Sequence, residues 1–327
     1  MKKIFATSEM LAAAPNGEVV AVHKGKKVYQ QTWGKKYSNY DLASLTKILF
    51  TNELILHAQK NKLLNVNNFI SKHLPYWPHK VKIKNLLRHD SGYTWWKPFY
   101  KNMPATMTRD LRYTYLQNLI LKESRAPLQK SLYSDLNYFI LGFVLEAVYN
   151  KPLEAMLDII DSPFHFNVDN KVMKNKTSYA PTEKCQQRKK RLQGEVHDLN
   201  AWALGGVAPH AGLFGGTQEM LDWFLAFRKK YRKQTMYKNF TKRAIPESKG
   251  DWALGYMLPT KGKASCGDLF SAKSFGHTGF TGTSFWYDPT KDFAVILLTN
   301  RVYYGVNHHV IRKLRPMIHN RLYKEFV

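Results

Sequence analysis

Apolar residues recur with one period at the two ends of this chain and with another between them, and that arrangement limits the folds open to it. Near the N-terminus, GEVVAVHKGKKVYQQTWG reads as a β-hairpin, with strands VVAV and KVYQQTW around the turn HKGK. Near the C-terminus, SFGHTGFTGTSFWYDP and DFAVILLTN read as strands joined by the turn DPTKD, and an amphipathic helix containing VIRKLRPMIHNRLYK follows. Between them the spacing is helical from Ser44 to about Tyr149, in KILFTNELILHAQ, VKIKNLLRH, LRYTYLQNLIL and NYFILGFVLEAVY, with breaks at Pro75, Pro98, Pro104 and Pro127. A polar, glycine-rich stretch with LGGVAPHAGLFGG at 204 to 216 leads to a further helix, QEMLDWFLAFRKKY. The pattern predicts an α/β (α+β) chain: an antiparallel sheet built from both termini (1–43 and about 245–327), flanked by helices, with a mostly helical lobe inserted at about 44–244. At 327 residues this is expected to be a single domain of two lobes, and a ligand cleft belongs between them.

No segment approaches the roughly 18 uninterrupted apolar residues of a membrane span, so no spanning helix is expected. The N-terminal MKKIFATSEMLAAAPNGE starts like an export signal, but Glu9 interrupts it before an apolar run of about 7 residues accumulates. It is expected to be an amphipathic first helix. That makes the chain cytoplasmic as it stands, and periplasmic or extracellular if a leader has been trimmed. Cys185 and Cys266 are too few for a disulfide framework and sit in no metal-ligand spacing, so buried, inert thiols are expected. Fifty Lys and Arg against 24 Asp and Glu leave a net charge of +26, with clusters at HKGKK (23–27), QRKKR (187–191) and RKKYRK (228–233). Such a surface either attracts an anionic polymer or membrane surface, or is simply solvated. Specific nucleic-acid recognition is not expected, because aromatic residues are not interleaved with these clusters and no recognised binding motif appears. Oligomeric state is left open.

The stretch YDLASLTKILFTNELIL places Ser44 three residues before Lys47 inside what reads as a buried apolar helix. Residues three apart share a helical face, so the lysine amine reaches the hydroxyl. Apolar neighbours Leu45, Ile48 and Leu49 disfavour the ammonium form and suit Lys47 to act as a base, while a helix start stabilises a forming alkoxide on Ser44. The alternative is a capping serine with a snorkelling lysine. This is, however, the only Ser-x-x-Lys in the chain. In YSDLNYFILG, Tyr133 offers a phenol as proton shuttle beside Ser134 and Asp135, or else those residues only cap and pack a helix. His277, Thr278 and Gly279 lie on a glycine-bearing strand that a ligand can approach closely, or else mark a bulge with an ordinary surface histidine.

Taken in order, Ser-x-x-Lys, Tyr-Ser-Asp and His-Thr-Gly resemble the serine β-lactamase and penicillin-binding-protein superfamily, in particular its class C β-lactamases, esterases and D-amino-acid-specific peptidases. The resemblance extends over nearly the whole chain through DLASLTK, LLRHDSGY (86–93), YAPTE (179–183), GEVHDLNAWALGGV with APHAGLF (194–214), and FGHTGFTGTSFWYDP through LLTNR. It implies Ser44 as the acylated nucleophile, Lys47 as its base and Tyr133 as the proton relay. It also implies the backbone N–H groups of Ser44 and Phe280 as oxyanion hole, and Asp135, His277, Thr278 and Gly279 as substrate-binding residues, with no cofactor and no metal.

Two residues depart from the family pattern. His277 stands where a lysine is usual, and an unperturbed histidine is only about a quarter protonated at pH 7, so a carboxylate anchor is weakened. Asp135 stands where an asparagine is usual, and an ionised carboxylate donates no hydrogen bond to a substrate amide. Both favour an esterase or a hydrolase of cell-wall-related amides and esters, acting on a small-molecule or peptidoglycan-derived substrate. A DD-carboxypeptidase or weak β-lactamase is the alternative, and a catalytically silent module that binds wall polymer is the alternative outside enzymes. The aromatic group Trp95, Trp96, Phe99 and Tyr100 either packs the lobe or lines the pocket. His197, Asp198 and His210 have no common metal-site spacing and are expected to make structural hydrogen bonds.

Overall fold

A computed structural model describes residues 3–103, 107–127, 130–171, 173 and 175–327. Pro104, one of the expected helix breaks, falls outside them. The chain starts with a short helix, α1 (Thr7–Ala13), and continues into the expected hairpin, β1 (Gly17–His23) and β2 (Lys26–Trp33). Short strands follow in the middle of the chain. β3 (Tyr40–Asp41) and β4 (His165–Phe166) flank β7 (Leu213–Gly215), while β5 (Lys184–Cys185) pairs with β6 (Lys190–Arg191). Three strands return from the C-terminal end: β8 (Phe275–Thr278), β9 (Ser284–Asp288) and β10 (Phe293–Thr299). The main sheet has the order β2-β1-β10-β9-β8, antiparallel throughout, so the two termini do build one sheet.

Its central strands explain why their sequences are almost continuously apolar. Side chains alternate between faces along a strand. Val20 and Val22 of β1 and Ala294, Ile296 and Leu298 of β10 enter the large core shared with the helical lobe. Val19 and Ala21, with Phe293, Val295 and Leu297, enter a second core. Val20 lies opposite Ile296 in the register, which aligns the two apolar faces. The second core is closed by α1 and by the last helix, α9 (Ile311–Phe326), through Met10, Ile311, Leu314, Ile318 and Leu322.

The inserted lobe carries α2 (Asn52–Lys60), α3 (Ile83–Leu87), α4 (Arg109–Leu121), α5 (Asp135–Tyr149), α6 (Leu199–Ala203), α7 (Thr217–Lys233) and α8 (Thr235–Thr241). At its centre is α5, buried from Leu136 to Leu145. Ser134 opens α5 as an N-cap, its hydroxyl accepting the Asn137 N–H at 3.4 Å, and Asn150 ends it in a left-handed conformation. Cys185 and Cys266 are buried and unpaired. Among the described residues no helix is long and apolar enough to cross a membrane. One element departs from its expected form. The segment after Ser44 is a 3-10 turn (Ala43–Leu45), then a π-helix (Lys47–Thr51), and only then the α-helix α2.

Candidate active site

That departure brings the chemistry together. Ala43 has φ +47°, a left-handed conformation that a residue with a Cβ adopts at a cost of about 1–3 kcal/mol. The surroundings hold it there: its N–H donates to Asp41 Oδ1 at 2.8 Å, and the Leu45 N–H donates to Leu42 O at 3.0 Å. The tight turn and the wide π-turn that follows place Lys47 under Ser44, with Lys47 0% exposed. Its Nζ lies 3.1 Å from Ser44 Oγ, 3.1 Å from the His210 carbonyl and 2.8 Å from Asp135 Oδ1. Thr51 Oγ1 donates to the Pro209 carbonyl at 2.5 Å, so the glycine-rich segment is fastened to this helix at two adjacent carbonyls.

Tyr133 donates its hydroxyl proton to Ser44 Oγ at 2.9 Å. Its ring stacks on Trp252, with centroids 5.8 Å apart, and also meets His89 at 4.9 Å and His277 at 5.9 Å. His89 Nδ1 accepts from the Ser134 N–H at 3.1 Å and lies 3.2 Å from Asn137 Nδ2. That puts its proton on Nε2, and burial with Lys47 nearby keeps the ring neutral, its pKa far below that of free histidine.

Burial also sets the other titrations. Burial lowers the Lys47 pKa, and the Asp135 carboxylate partly opposes it, so the amine is neutral more often than an exposed lysine. Burial, and then the Asp135 charge, raise the Tyr133 pKa well above that of a free phenol. Tyr133 is therefore a proton donor at neutral pH, not a phenolate base.

The sheet supplies the facing wall. His277 of β8 pairs with Phe285 of β9, and the turn between these strands is tied to the nucleophile's segment by Thr281 Oγ1 to Asp41 O (2.7 Å) and Thr283 Oγ1 to Leu42 O (3.2 Å). Position 279 has to be glycine, because a Cβ there would lie 2.8 Å from Leu42 O and 2.1 Å from Thr283 Oγ1. Next to it, Phe280 is 49% exposed at the rim; its carbonyl accepts from Arg301 Nε at 2.8 Å, and its ring stacks on His197.

Ser44, Tyr133, His277, Thr278, Gly279 and Phe280 border one cavity of about 300 Å³, and Lys47 and Asp135 lie directly behind Ser44. Two sequence expectations are altered here, and one of two open readings is decided. His277 is 1% exposed, its Nδ1 donates to Thr278 O at 2.9 Å, and burial, then Lys47, lower its pKa to about 3. It is a fixed neutral group, not a cation that appears near pH 6. Asp135, expected on the substrate, is instead paired with Lys47. Ser134 is the cap of α5.

Sequence reasoning missed the rest of the wall: Trp252, Met257, Arg301, Ile311, Arg312 and Arg315. Burial and the neighbouring guanidiniums lower the pKa of Arg315 to about 10, and that of Arg301 likewise, so both are still cations at pH 7. Among the described residues none of the three arginines has an ion pair with a carboxylate. The available signal was the spacing of Arg312 and Arg315, three apart on the last helix.

The remaining candidates divide. His210 Nε2 lies 3.1 Å from Asp198 Oδ1, and Asp198 also accepts the Ala201 N–H as the cap of α6, which fixes the carbonyl that Lys47 contacts. His197 Nε2 is 3.3 Å from Glu183. Phe99 is in the core, but Trp95 is 58% exposed and stacks on Trp96. Among the described residues no cluster of three His, Cys, Asp or Glu side chains is placed to hold a metal ion.

Comparison with known proteins gives a consistent picture. A family model described as Beta-lactamase matches residues 6–315. A putative D-alanyl-D-alanine carboxypeptidase of Salmonella typhi is 30% identical over an alignment spanning 89% of this chain and 79% of the relative. Among solved structures, a beta-lactamase from Mycobacterium bovis superposes with a TM-score of 0.65 at 17% identity, over 98% of this chain and 99% of the other. The octameric penicillin-binding protein homologue from Pyrococcus abyssi superposes with a TM-score of 0.66 at 14% identity, over 95% and 75%.

Proposed function

The chain belongs to the beta-lactamase family of serine hydrolases, and from that premise we propose that it is a carboxypeptidase-type amide hydrolase, acylated on Ser44, that selects substrates with a free carboxylate. The observation that carries this reading is the unbalanced charge of the cavity: three guanidiniums share about 300 Å³ with the nucleophile and have no ion pair with a carboxylate among the described residues. Arg301 and Arg315 are buried with their guanidiniums bonded to backbone carbonyls, and Arg312 is exposed at the cavity; a ligand carboxylate supplies the counter-charge that all three lack. The cation that the third motif lacks at His277 is supplied from α9 and from Arg301. The D-alanyl-D-alanine end that names the Salmonella relative is the first substrate to test.

The geometry allows the following sequence. Neutral Lys47 takes the Ser44 Oγ proton across 3.1 Å as Oγ attacks the substrate carbonyl. The carbonyl electrons move onto oxygen, which the Ser44 and Phe280 N–H groups receive. As the C–N bond breaks, the Tyr133 phenol protonates the departing nitrogen, and the Lys47 ammonium returns a proton to the phenolate. Water then attacks the acyl-enzyme, giving its proton back through the same groups and releasing Ser44. Asp135 steadies the ammonium while it exists.

A second reading, ester hydrolysis, is favoured by one observation. Asp135 is paired with Lys47 and has no N–H to offer a substrate amide. One substrate series separates the two: an N-acyl-D-alanyl-D-alanine peptide, its C-terminal carboxamide, and the matching ester of the same acyl group. A kcat/KM for the peptide acid at least about tenfold above the carboxamide supports the carboxypeptidase reading. Turnover of the ester alone, with equal indifference to both peptides, would overturn it.

A further inference from the structure

A second concentration of positive charge lies at the opposite end of the helix that starts at Ser44. Sixteen residues along that helix at 1.5 Å each put it about 24 Å from the nucleophile. There a cleft of about 720 Å³ is lined by Lys60 at the end of α2 and Lys62 just after it, Lys84 and Arg88 of α3 and its cap, and Lys242 and Arg243 after α8. None of the three basic runs visible in the sequence contributes. The six cations are brought together by folding from separate segments, and no Asp or Glu lines the cleft.

The hydrogen bonds show which of these groups remain available. Arg88 is held by Asp90 at 2.7 Å and Arg243 by Asp251 at 2.9 Å. The four lysines make no ion pair with a carboxylate among the described residues. Three of the four amides in the lining already use their oxygens: Gln59 Oε1 accepts from the Val66 N–H (3.1 Å), Asn67 Oδ1 from Lys84 Nζ (2.9 Å) and Asn239 Oδ1 from Lys242 Nζ (3.5 Å), with Gln234 the fourth. What those three amides have left are their N–H groups. The cleft is therefore a surface of donors: ammonium and amide N–H, with the carboxylates held behind the guanidiniums.

A surface of donors matches a ligand made of acceptors. Planar carboxylates are best met by free guanidinium forks, and here both forks are occupied. Ammonium groups act as point charges and suit the tetrahedral oxygens of phosphate. Like charges in a concavity also raise the local potential that draws in a polyanion. Single-stranded nucleic acid would require exposed aromatic faces for its bases, and the one aromatic in this lining, Phe240, is buried. We propose that this cleft is a binding site for a flexible polyphosphoryl chain, distinct from the catalytic cavity and independent of what the enzyme cleaves.

The test uses a short fluorescein-labelled inorganic polyphosphate and the full chain, with anisotropy followed against salt. Four ammonium contacts at about 0.7 each give an expected fall of roughly three decades of affinity per decade of salt. Lys60→Gln with Lys84→Gln should halve that slope. Lys26→Gln with Lys27→Gln, which removes the same charge from the start of β2, should leave affinity within about twofold. Unchanged ester turnover in both double variants shows that they are folded, since neither touches the catalytic residues. Equal losses in the two doubles would assign binding to diffuse charge and overturn the site. So would equally tight binding of an oligothymidylate of the same charge, or no binding of polyphosphate at low salt.

Discussion

The two walls of the catalytic cavity handle charge in opposite ways. On the helical side, the Lys47 ammonium has a protein counter-charge 2.8 Å away in Asp135, and the hydroxyls of Ser44 and Tyr133 complete a closed network. On the side of the sheet and α9, Arg301, Arg312 and Arg315 have no counter-charge among the described residues. Balanced charge stays inside the protein and can move a proton without outside help. Unbalanced charge waits for a partner, and the substrate brings it. In the proposed function, the first wall governs whether a bond is cut, and the second governs whose bond.

The largest expected effect breaks the first wall alone. Ser44→Ala should remove acylation of every substrate, acid, carboxamide or ester, by about four orders of magnitude or more, with stability changed by less than about 1 kcal/mol. Lys47→Ala should lose nearly as much, because residues that act as a unit give non-additive losses. Intact-mass detection of a fluorophosphonate adduct and turnover assays check both. Undiminished hydrolysis by Ser44→Ala would dissolve the distinction between the walls.

Breaking the second wall should be smaller and selective. Arg312→Gln, on the exposed side of α9, and Arg315→Gln, beneath it, each remove a charge-assisted contact of about 1.5–3 kcal/mol. The kcat/KM for the peptide acid should fall roughly tenfold to a hundredfold, and that for the carboxamide should stay within about twofold. Equal losses on both substrates would show that these arginines support the fold and do not read a carboxylate.

The same contrast separates what was legible in the sequence from what was not. The catalytic wall is built from short motifs, and local rules suffice there: Ser44 and Lys47 are neighbours by helical spacing, and Tyr133 precedes a capped helix. The sheet was legible because β1 and β10 are apolar on both faces. The recognition wall was not, because Arg301, Arg312 and Arg315 face Ser44 only once α9 has packed beneath the sheet. The π-turn after Lys47 was also invisible, since KILFT has an ordinary helical pattern and its long-range bonds to the Pro209 and His210 carbonyls cannot be read from local spacing. His277 was misjudged for a related reason. A strand position says which face a side chain takes, not whether neighbours seal that face from water.

A subtler change sharpens the role of the balanced pair. The Asp135 carboxylate favours the ammonium form of Lys47, against the larger effect of burial. Catalysis needs the neutral amine, so rate rises with pH as Lys47 loses its proton. Asp135→Asn removes the anion that holds the proton, and the acid limb of kcat/KM should move to lower pH. The midpoint of that limb is the readout, because the new amide can also alter substrate contacts. A limb that stays in place, or moves up, would show that Asp135 does not set the base.

The smallest expected effect is a flat line, and it distinguishes two sources for the carboxylate anchor. If His277 supplied it, the ratio of kcat/KM for the peptide acid over its carboxamide would climb as pH falls through the ordinary histidine range. Buried beside Lys47, His277 charges only near pH 3, far below that range. Arg301 and Arg315 lose their protons only near pH 10. Between about pH 5 and pH 8 none of these groups changes charge, and the substrate carboxylate is ionised throughout. Taking the ratio cancels the common acid limb of Lys47, since both substrates need the same neutral amine. The ratio should therefore hold constant within about twofold over that interval, while each rate alone rises with pH. A ratio that climbs toward acid would return the anchor to His277, and a ratio near one at every pH would leave the three arginines without a substrate to read.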